Sequence, residues 1–200
     1  MLSSNDATLH QETKSKLLAI LKANSVFHGD FVLSSGARSK FYIDCRITTL
    51  NPEGAWLVGT LLQNVIRDEA SARNVKINAV GGLTMGADPI ALSIGLMSYK
   101  SDPKSYWQVF TVRKTPKAHG QTKLIEGNFK SGDRVVVVDD VITKGDSTLK
   151  AIEAVEAEGG VVEFVAVLVD RAEGGRQKIE AKGFKVLALF TKDDLLGPSA

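Results

Sequence analysis

The sequence has little of several residue types, and each shortage excludes a class of protein. Its 200 residues include one cysteine, Cys45, which cannot form an internal disulfide and fits a reducing cytoplasm. That cysteine and three scattered histidines give no zinc-ligand spacing. Charge of one sign is also scarce, because 25 basic residues are balanced by 23 acidic ones. Such a balance does not predict a nucleic-acid partner, whose binding needs basic residues gathered on one face.

Long hydrophobic runs are missing as well. The longest apolar-leaning stretch, residues 77–99, is interrupted by Asp88 and Pro89 and predicts a strand, a turn and a buried helix rather than a membrane span. The amino terminus carries Asp6 and Glu12 ahead of a short apolar run, unlike a secretory signal. Apolar residues make up 44% of the chain and charged residues 24%, close to globular averages. We therefore expect one soluble domain with no membrane partner.

The pattern of apolar residues divides the chain into two parts. Up to about residue 50 it predicts a helix ending near Asn24, followed by a hairpin of Val26–Leu33 and Phe41–Cys45. Over residues 76–191 strands alternate with helices, which predicts an α/β fold with a mostly parallel central sheet flanked by helices. The N-terminal helix and hairpin would form a small hood beside this sheet.

Inside the alternating part, two local expectations concern particular residues. The strand over Ile77–Val80 should end in a turn at Gly81-Gly82. The run Val135–Val138 is apolar without interruption, which is typical of a strand buried on both faces.

Two adjacent acids, Asp139 and Asp140, follow that apolar run. Ligands of open α/β sheets bind outside the carboxyl ends of the strands, so we expect an exposed acid pair at a binding site. The segment Thr143–Thr148 offers backbone N–H groups, hydroxyls and a helix start, which suit a phosphate. Paired carboxylates accept hydrogen bonds from vicinal hydroxyls or hold a divalent cation. The segment thus predicts a phosphorylated polyol as ligand, although an Asp-Asp pair can also simply cap a turn.

Residues 113–130 interrupt the alternation of strands and helices. The segment has little apolar periodicity and includes Arg113, Lys114, Lys117 and His119. A loop of this length within a compact domain is uncommon and is usually functional or disordered. Positive groups arriving over a departing anion stabilise its charge, and a histidine can donate a hydrogen bond or a proton to it.

Five motifs resemble those of one enzyme family. The segment VVVVDDVITKGDS, residues 135–147, resembles the phosphoribosyl pyrophosphate signature of type I phosphoribosyltransferases. Four others are similar to orotate phosphoribosyltransferases in the same order: FVLSSGARSKFYID, VGGLTMGADPIA, RKTPKAHG and VDRAEGG. The resemblance covers most of the chain, from about Phe31 to Gly175. It implies a single phosphoribosyltransferase domain over residues 1–200, with a hood over about 1–50 and a mobile catalytic loop over 113–130.

The resemblance also implies an activity and partners. Such enzymes transfer the phosphoribosyl group from phosphoribosyl pyrophosphate to orotate, giving orotidine 5′-phosphate and diphosphate in pyrimidine synthesis. They use Mg²⁺, held mainly through substrate oxygens, and form homodimers with shared active sites.

Site residues follow from the same motifs. Catalysis would involve Lys114, Lys117, His119, Asp139 and Asp140. Phosphoribosyl pyrophosphate would meet Arg113, Lys114, Lys117, His119, Asp139, Asp140, Val141, Ile142, Thr143, Lys144, Gly145, Asp146 and Ser147. Orotate would meet Thr143, Arg171, Phe41 and Tyr42.

Some of these assignments have plainer alternatives, and two positions depart from the family pattern. Arg171 could form a surface ion pair with Glu173, and His119 taken alone would be a solvent-facing loop residue. Some family members carry lysines where this chain has Ser34 and Met85. Asp146 must point away from a bound phosphate.

Three other functions fit part of the sequence. A purine phosphoribosyltransferase would keep the acid motif but need neither Arg171 nor the RKxxKxHG loop. A non-catalytic regulator that binds nucleotides or RNA would have a basic face and a degraded loop. A receiver domain has its acid pair after the first strand, whereas here the pair follows residue 138.

Overall fold

Helices and strands alternate along most of the chain in a computed structural model, which describes residues 4–32, 38–115 and 123–197. The helices are α1 (Ser4–Asn24), α2 (Arg46–Thr49), α3 (Pro52–Ala72), α4 (Ala87–Ser101), α5 (Asp146–Ala157), α6 (Gly175–Glu180) and α7 (Lys192–Leu196). The strands are β1 (Val26–Val32), β2 (Arg38–Ile43), β3 (Ala79–Leu83), β4 (Gln108–Val112), β5 (Ile125–Gly127), β6 (Arg134–Ile142), β7 (Val161–Asp170) and β8 (Val186–Thr191). Within the described residues, no helix is both long and apolar enough to span a membrane.

The central sheet has six strands in the order β5-β4-β3-β6-β7-β8. All neighbours run parallel except β5, which is antiparallel to β4. This confirms the predicted α/β fold. From β3 the chain moves outward to β4 and β5, then returns across β3 to β6 and continues the other way. The direction of winding therefore switches between β3 and β6, which is where open α/β sheets form their ligand crevice.

The core lies on both faces of this sheet, as the continuous apolar run in β6 predicts. Val135 to Val138 have no exposed surface. Val136 and Val138 belong to the apolar cluster that contains the buried side chains of α3 and α4. Val135 and Val137 belong to the cluster on the α5 side. Successive residues of a strand point to opposite faces, so one run supplies both clusters.

The N-terminal part forms the predicted helix and hairpin. Leu17 and Leu21 of α1 are fully buried in the cluster shared with α3 and α4. Strands β1 and β2 pair antiparallel as a separate two-stranded sheet, with Phe27 opposite Tyr42. The sequence Asn51-Pro52-Glu53 is typical of a helix start, and α3 begins there, with the Asn51 side chain accepting hydrogen bonds from the backbone N–H groups of Glu53 and Gly54.

Three local predictions were wrong. Gly81 and Gly82 lie within β3 rather than in a turn, because the neighbouring strands come too close for side chains. A Cβ at Gly82 would lie 2.0 Å from the Val138 carbonyl oxygen, and one at Gly81 2.3 Å from that of Phe110. Strand β6 continues through the two acids to Ile142 instead of ending before them. The segment 113–130 is not all loop, since its residues 125–127 form β5 against β4.

Candidate active site

The carboxyl ends of the parallel strands bring most of the predicted site residues to one edge of the sheet. Strand β3 leads into the turn 84–86, and β4 leads into Arg113 and Lys114. Strand β6 carries the acid pair, and β7 leads into Arg171. The edge thus combines carboxylates and cations around the switch between β3 and β6, so it can bind a ligand that carries both hydroxyls and negative charge.

Asp139 is buried, which corrects the expectation of an exposed acid pair. Its side chain is enclosed because α5 folds back over the end of β6, leaving the residue 4% exposed. The hydroxyls of Ser147 and Thr148 each donate to its Oδ2 at 2.9 Å, and its Oδ1 accepts from the Asp140 N–H at 3.0 Å. Asp139 therefore ties the first turn of α5 to the sheet.

Asp140 faces a more open environment than its neighbour. It is half-buried, and its Oδ1 accepts only the Val141 N–H among the hydrogen bonds assigned to the described residues. Gly86 abuts this carboxylate so closely that a Cβ there would lie 2.3 Å from Oδ1. Of the two acids, Asp140 is the one with acceptor capacity left for a bound ligand.

Burial and mutual repulsion disfavour charge on both carboxyls. Burial raises the pKa of Asp139 to about 7, and the nearby Asp140 raises it further against the opposing effect of the two hydroxyls. Burial also raises the pKa of Asp140, while hydrogen bonds to its carboxyl, from Asp139 and the Val141 N–H, and more weakly the charge of Arg46, oppose the shift. One proton can therefore be held at this pair near neutral pH.

The raised pKa of Asp139 predicts a pH-dependent stability. Well below the ordinary aspartate pKa of about 3.9, the carboxyl is protonated in the folded and unfolded chains alike. As the pH rises toward 7 only the unfolded chain ionises, so the free energy of unfolding falls, and it levels off above the folded pKa. An Asp139→Asn variant lacks this titration, so its stability relative to the wild type should increase between pH 4.5 and 7.5 in urea unfolding.

Asp146 provides the matched control for that measurement. Its carboxyl is exposed, and the hydrogen bond from Lys178 lowers its pKa below the ordinary value. It is then ionised in both states throughout the range from 4.5 to 7.5, so Asp146→Asn should change stability equally at both ends. If the Asp139→Asn difference is as flat as the control, burial does not hold a proton on Asp139.

Only part of the segment that the sequence predicts to bind a phosphate, residues 141–147, has the structure of a phosphate-binding turn. Val141 and Ile142 belong to β6, and Ile142 is fully buried. The turn proper is residues 143–145, and Gly145 caps α5 with a positive φ of 78°. The first turn of α5 leaves backbone N–H groups without helical partners, which suits an anion. The Asp146 carboxylate is held by Lys178 of α6, consistent with the requirement that it turn away from a phosphate.

Arg171 lies at the end of β7 and is buried, with 6% of its surface exposed. Its Nη2 donates to Glu173 at 2.7 Å, so the predicted ion pair forms, but within the site edge rather than on the open surface. Its Nε is buried without a hydrogen-bond partner among the described residues. The guanidinium carbon lies 5.3 Å from the centre of the Phe41 ring. The guanidinium fork of Arg171 therefore lies beside an aromatic ring, an arrangement that can bind a planar ligand carrying a carboxylate.

The two aromatic residues predicted to meet orotate, Phe41 and Tyr42, lie on opposite faces of β2. Phe41 contacts Arg171, whereas Tyr42 packs against Phe31 with ring centres 5.7 Å apart. Neighbouring residues of a strand point to opposite faces, so only Phe41 is directed toward Arg171. On the same hairpin, Lys40 pairs with Asp30 in solvent.

The basic loop is described only at its ends. The Arg113 Nε donates to the Thr115 carbonyl oxygen at 3.3 Å, and its Nη1 lies 3.7 Å from Glu126. Lys114 follows at the exposed end of β4. Lys117 and His119, which the sequence predicts to be catalytic, lie outside the described residues, as does Ser34.

Sequence reasoning missed Asp170, which holds the turn that carries Arg171. It is 4% exposed, and its Oδ1 accepts the N–H of Ala172 at 2.8 Å. Ala172 has a positive φ of 54°, so the chain turns sharply directly after Arg171. The sequence did offer a signal, an acid directly before the arginine in VDRAEGG, but the motif was interpreted through Arg171 alone.

Comparisons with known proteins agree with these features. No protein-family model matches the chain. An orotate phosphoribosyltransferase of Streptomyces coelicolor is 42% identical over 185 residues, which is 92% of this chain and 97% of the relative. One of Rhodopirellula baltica is 40% identical over 178 residues, which is 89% of this chain and 91% of the relative.

A solved structure extends the similarity to three dimensions. The Mycobacterium tuberculosis H37Rv orotate phosphoribosyltransferase in complex with Fe(III) dicitrate superposes with a TM-score of 0.77 at 38% identity. The match covers 92% of this chain and 99% of that one. Because relatives of this identity are matched along nearly their whole length, the chain belongs to the orotate phosphoribosyltransferases of the type I phosphoribosyltransferase fold.

Proposed function

We propose that this chain carries out its family's reaction at the edge of the sheet formed by Asp140, Thr143–Ser147 and Arg171. Orotate phosphoribosyltransferases transfer the phosphoribosyl group from phosphoribosyl pyrophosphate to orotate in pyrimidine biosynthesis. A structure of the M. tuberculosis enzyme in complex with phosphoribosyl pyrophosphate superposes on this chain with a TM-score of 0.72. The bond from the ribose anomeric carbon to diphosphate breaks, and a bond from that carbon to a ring nitrogen of orotate forms.

One observation supports the assignment of the site: three groups that suit different parts of the two substrates lie at the same edge of the sheet. The turn before α5 and its N–H groups suit the 5′-phosphate. The open carboxylate of Asp140 suits the ribose hydroxyls. Arg171, buried against Phe41, suits the orotate carboxylate. In this arrangement Asp139 acts by holding the first turn of α5 in place.

The reaction moves negative charge onto the departing diphosphate while the anomeric carbon becomes cation-like. Arg113, Lys114 and Lys117 are the cations proposed to offset the charge on the leaving oxygens, and His119 the group proposed to donate a proton to them. Closure of a loop that carries these residues would exclude water and strengthen their effect.

We propose Mg²⁺ as the cofactor, bound together with the diphosphate substrate. No three acidic, cysteine or histidine side chains of the described residues group as a metal site. Mg²⁺ commonly binds through one or two carboxylates together with substrate phosphates, so a site completed by substrate fits these residues. Asp140 is the side chain with acceptor capacity for it. The bound ion would supply neutralisation of phosphate charge.

We also propose a cytoplasmic homodimer in which sites are shared between subunits. The resemblance in the loop motif RKTPKAHG supports the shared site, and the single buried cysteine supports the reducing compartment.

The reaction itself is tested by following the absorbance of orotate. Absorbance should fall only when enzyme, orotate, phosphoribosyl pyrophosphate and Mg²⁺ are all present, and adenine or guanine in place of orotate should not be consumed. Turnover of a purine with no loss of orotate would overturn the proposed substrate.

A further inference from the structure

The turn between β3 and α4, residues 84–86, forms one wall of the crevice at the topological switch. Its Gly86 lies against the Asp140 carboxylate, where a Cβ would come within 2.3 Å of Oδ1. Met85 at the tip of the turn is 62% exposed. The turn carries no charged side chain, and the one hydrogen of the Thr84 hydroxyl is donated to Asp88. Its contacts with an anionic substrate would therefore come from backbone groups, whose positions have to be fixed by other residues.

Asp88 in the first turn of α4 provides that fixation. The Thr84 hydroxyl donates to its Oδ2 at 2.7 Å, and the Thr111 hydroxyl of β4 donates to its Oδ1. A single carboxylate thus joins the turn, the start of a helix and the neighbouring strand. The Thr84 N–H also donates to the Val112 carbonyl oxygen at 2.8 Å, which continues the attachment to β4.

The chemistry of this contact is specific for a carboxylate. Each threonine hydroxyl has one hydrogen to donate, and an ionised carboxyl offers an acceptor oxygen to each. An asparagine would offer one acceptor oxygen and two donors, so it could satisfy only one hydroxyl in the same way. Within the described residues no basic side chain forms an ion pair with Asp88, so its two oxygens serve the threonines.

We propose that Asp88 is a positioning residue, which through Thr84 and Thr111 holds the turn 84–86 beside Asp140 in the geometry that binds the diphosphate group. This rests on the proposed placement of the substrate: with the 5′-phosphate at α5 and the ribose at Asp140, the diphosphate extends toward β3.

The test compares two ligands that differ in the diphosphate. In Asp88→Ala, binding of phosphoribosyl pyrophosphate, measured by calorimetry, should weaken by about 10- to 100-fold, the scale expected for a misplaced binding group. Binding of orotidine 5′-phosphate, which lacks diphosphate, should change less than about twofold. Asp88→Asn should fall between wild type and alanine. Equal binding of phosphoribosyl pyrophosphate by Asp88→Ala and wild type, or equal weakening of both ligands, would overturn the proposal.

Two further comparisons separate positioning from a general loss of stability. The double variant Thr84→Val/Thr111→Val should weaken phosphoribosyl pyrophosphate as much as Asp88→Ala does, and combining all three changes should add little, because they remove the same contacts. Asp102→Ala is the matched control, since Asp102 caps the other end of α4 and its Oδ1 accepts the Lys104 N–H at 2.9 Å. It should leave both ligands unaffected. Full additivity of the three changes would contradict the network.

These binding measurements also separate this proposal from the proposed function. If the wild type binds both ligands but does not consume orotate, the assigned reaction fails while the comparison of variants still decides the role of Asp88.

Discussion

Replacing Arg171 by alanine is expected to weaken orotate binding by about 2–5 kcal/mol, the usual cost of removing one partner of a desolvated charge pair. Phosphoribosyl pyrophosphate should bind nearly as before, because its proposed contacts lie on β6, α5, the turn 84–86 and the basic loop rather than at the end of β7. Steady-state kinetics with each substrate varied in turn would show the KM for orotate rising and the other KM unchanged. Arg171→Lys should fall in between, since lysine keeps the charge but loses the planar fork.

Arg73 is a control that makes the same two kinds of contact as Arg171, with a side chain that is 32% exposed. Its guanidinium carbon also lies 5.3 Å from the centre of an aromatic ring, that of Phe164, and its Nε lies 2.7 Å from Glu69. It caps the end of α3, away from the carboxyl edge of the sheet. Arg73→Ala should therefore alter stability without altering the KM for orotate. If Arg171→Ala behaves in the same way, Arg171 is a structural ion-pair residue and the assignment of the orotate pocket fails.

The sequence predicts those parts of the molecule that depend on local patterns. The alternation of strand and helix patterns is enough to predict the parallel sheet, because an apolar strand must be covered on both faces and the intervening helices provide that cover. The Asn51 cap and the start of α5 could be predicted because they follow from neighbouring residues. Arg171 could be placed at the correct edge because the carboxyl ends of parallel strands meet there.

What the sequence does not predict depends on distances between segments that are far apart in the chain. Gly81-Gly82 has the composition of a turn, and only the approach of the Val138 and Phe110 carbonyl groups makes glycine necessary inside β3. The burial of Asp139 depends on how α5 folds back, which brings Thr148 over the carboxylate. An acid in the first turn of a helix usually indicates a favourable interaction with the helix dipole, so Asp88 gave no sign of its contact with Thr111.

Mixing two inactive variants is expected to restore about a quarter of wild-type activity if the sites are shared in a dimer. In a single chain, Lys114 follows β4 and Asp140 lies on β6, with β3 between the two strands. Lys114 could therefore act in the site of its own subunit, which is the alternative to the shared site that the loop motif implies. The two variants are Lys114→Ala, which removes a loop charge, and Asp140→Asn, which keeps a side-chain oxygen for the Val141 N–H but removes the acid.

The expected recovery follows from counting sites. After reversible dissociation and mixing in equal amounts, about half of the dimers should contain one subunit of each kind. If Lys114 acts in the partner's site, one site of each mixed dimer combines an intact Asp140 with an intact Lys114, and the other site carries both defects. If Lys114 serves its own chain, every site keeps one defect and mixing restores nothing. Absence of recovery, with mixed dimers confirmed by separate affinity tags on the two variants, would exclude the shared site and leave membership of the family unaffected, because that rests on the whole chain rather than on which subunit supplies the loop.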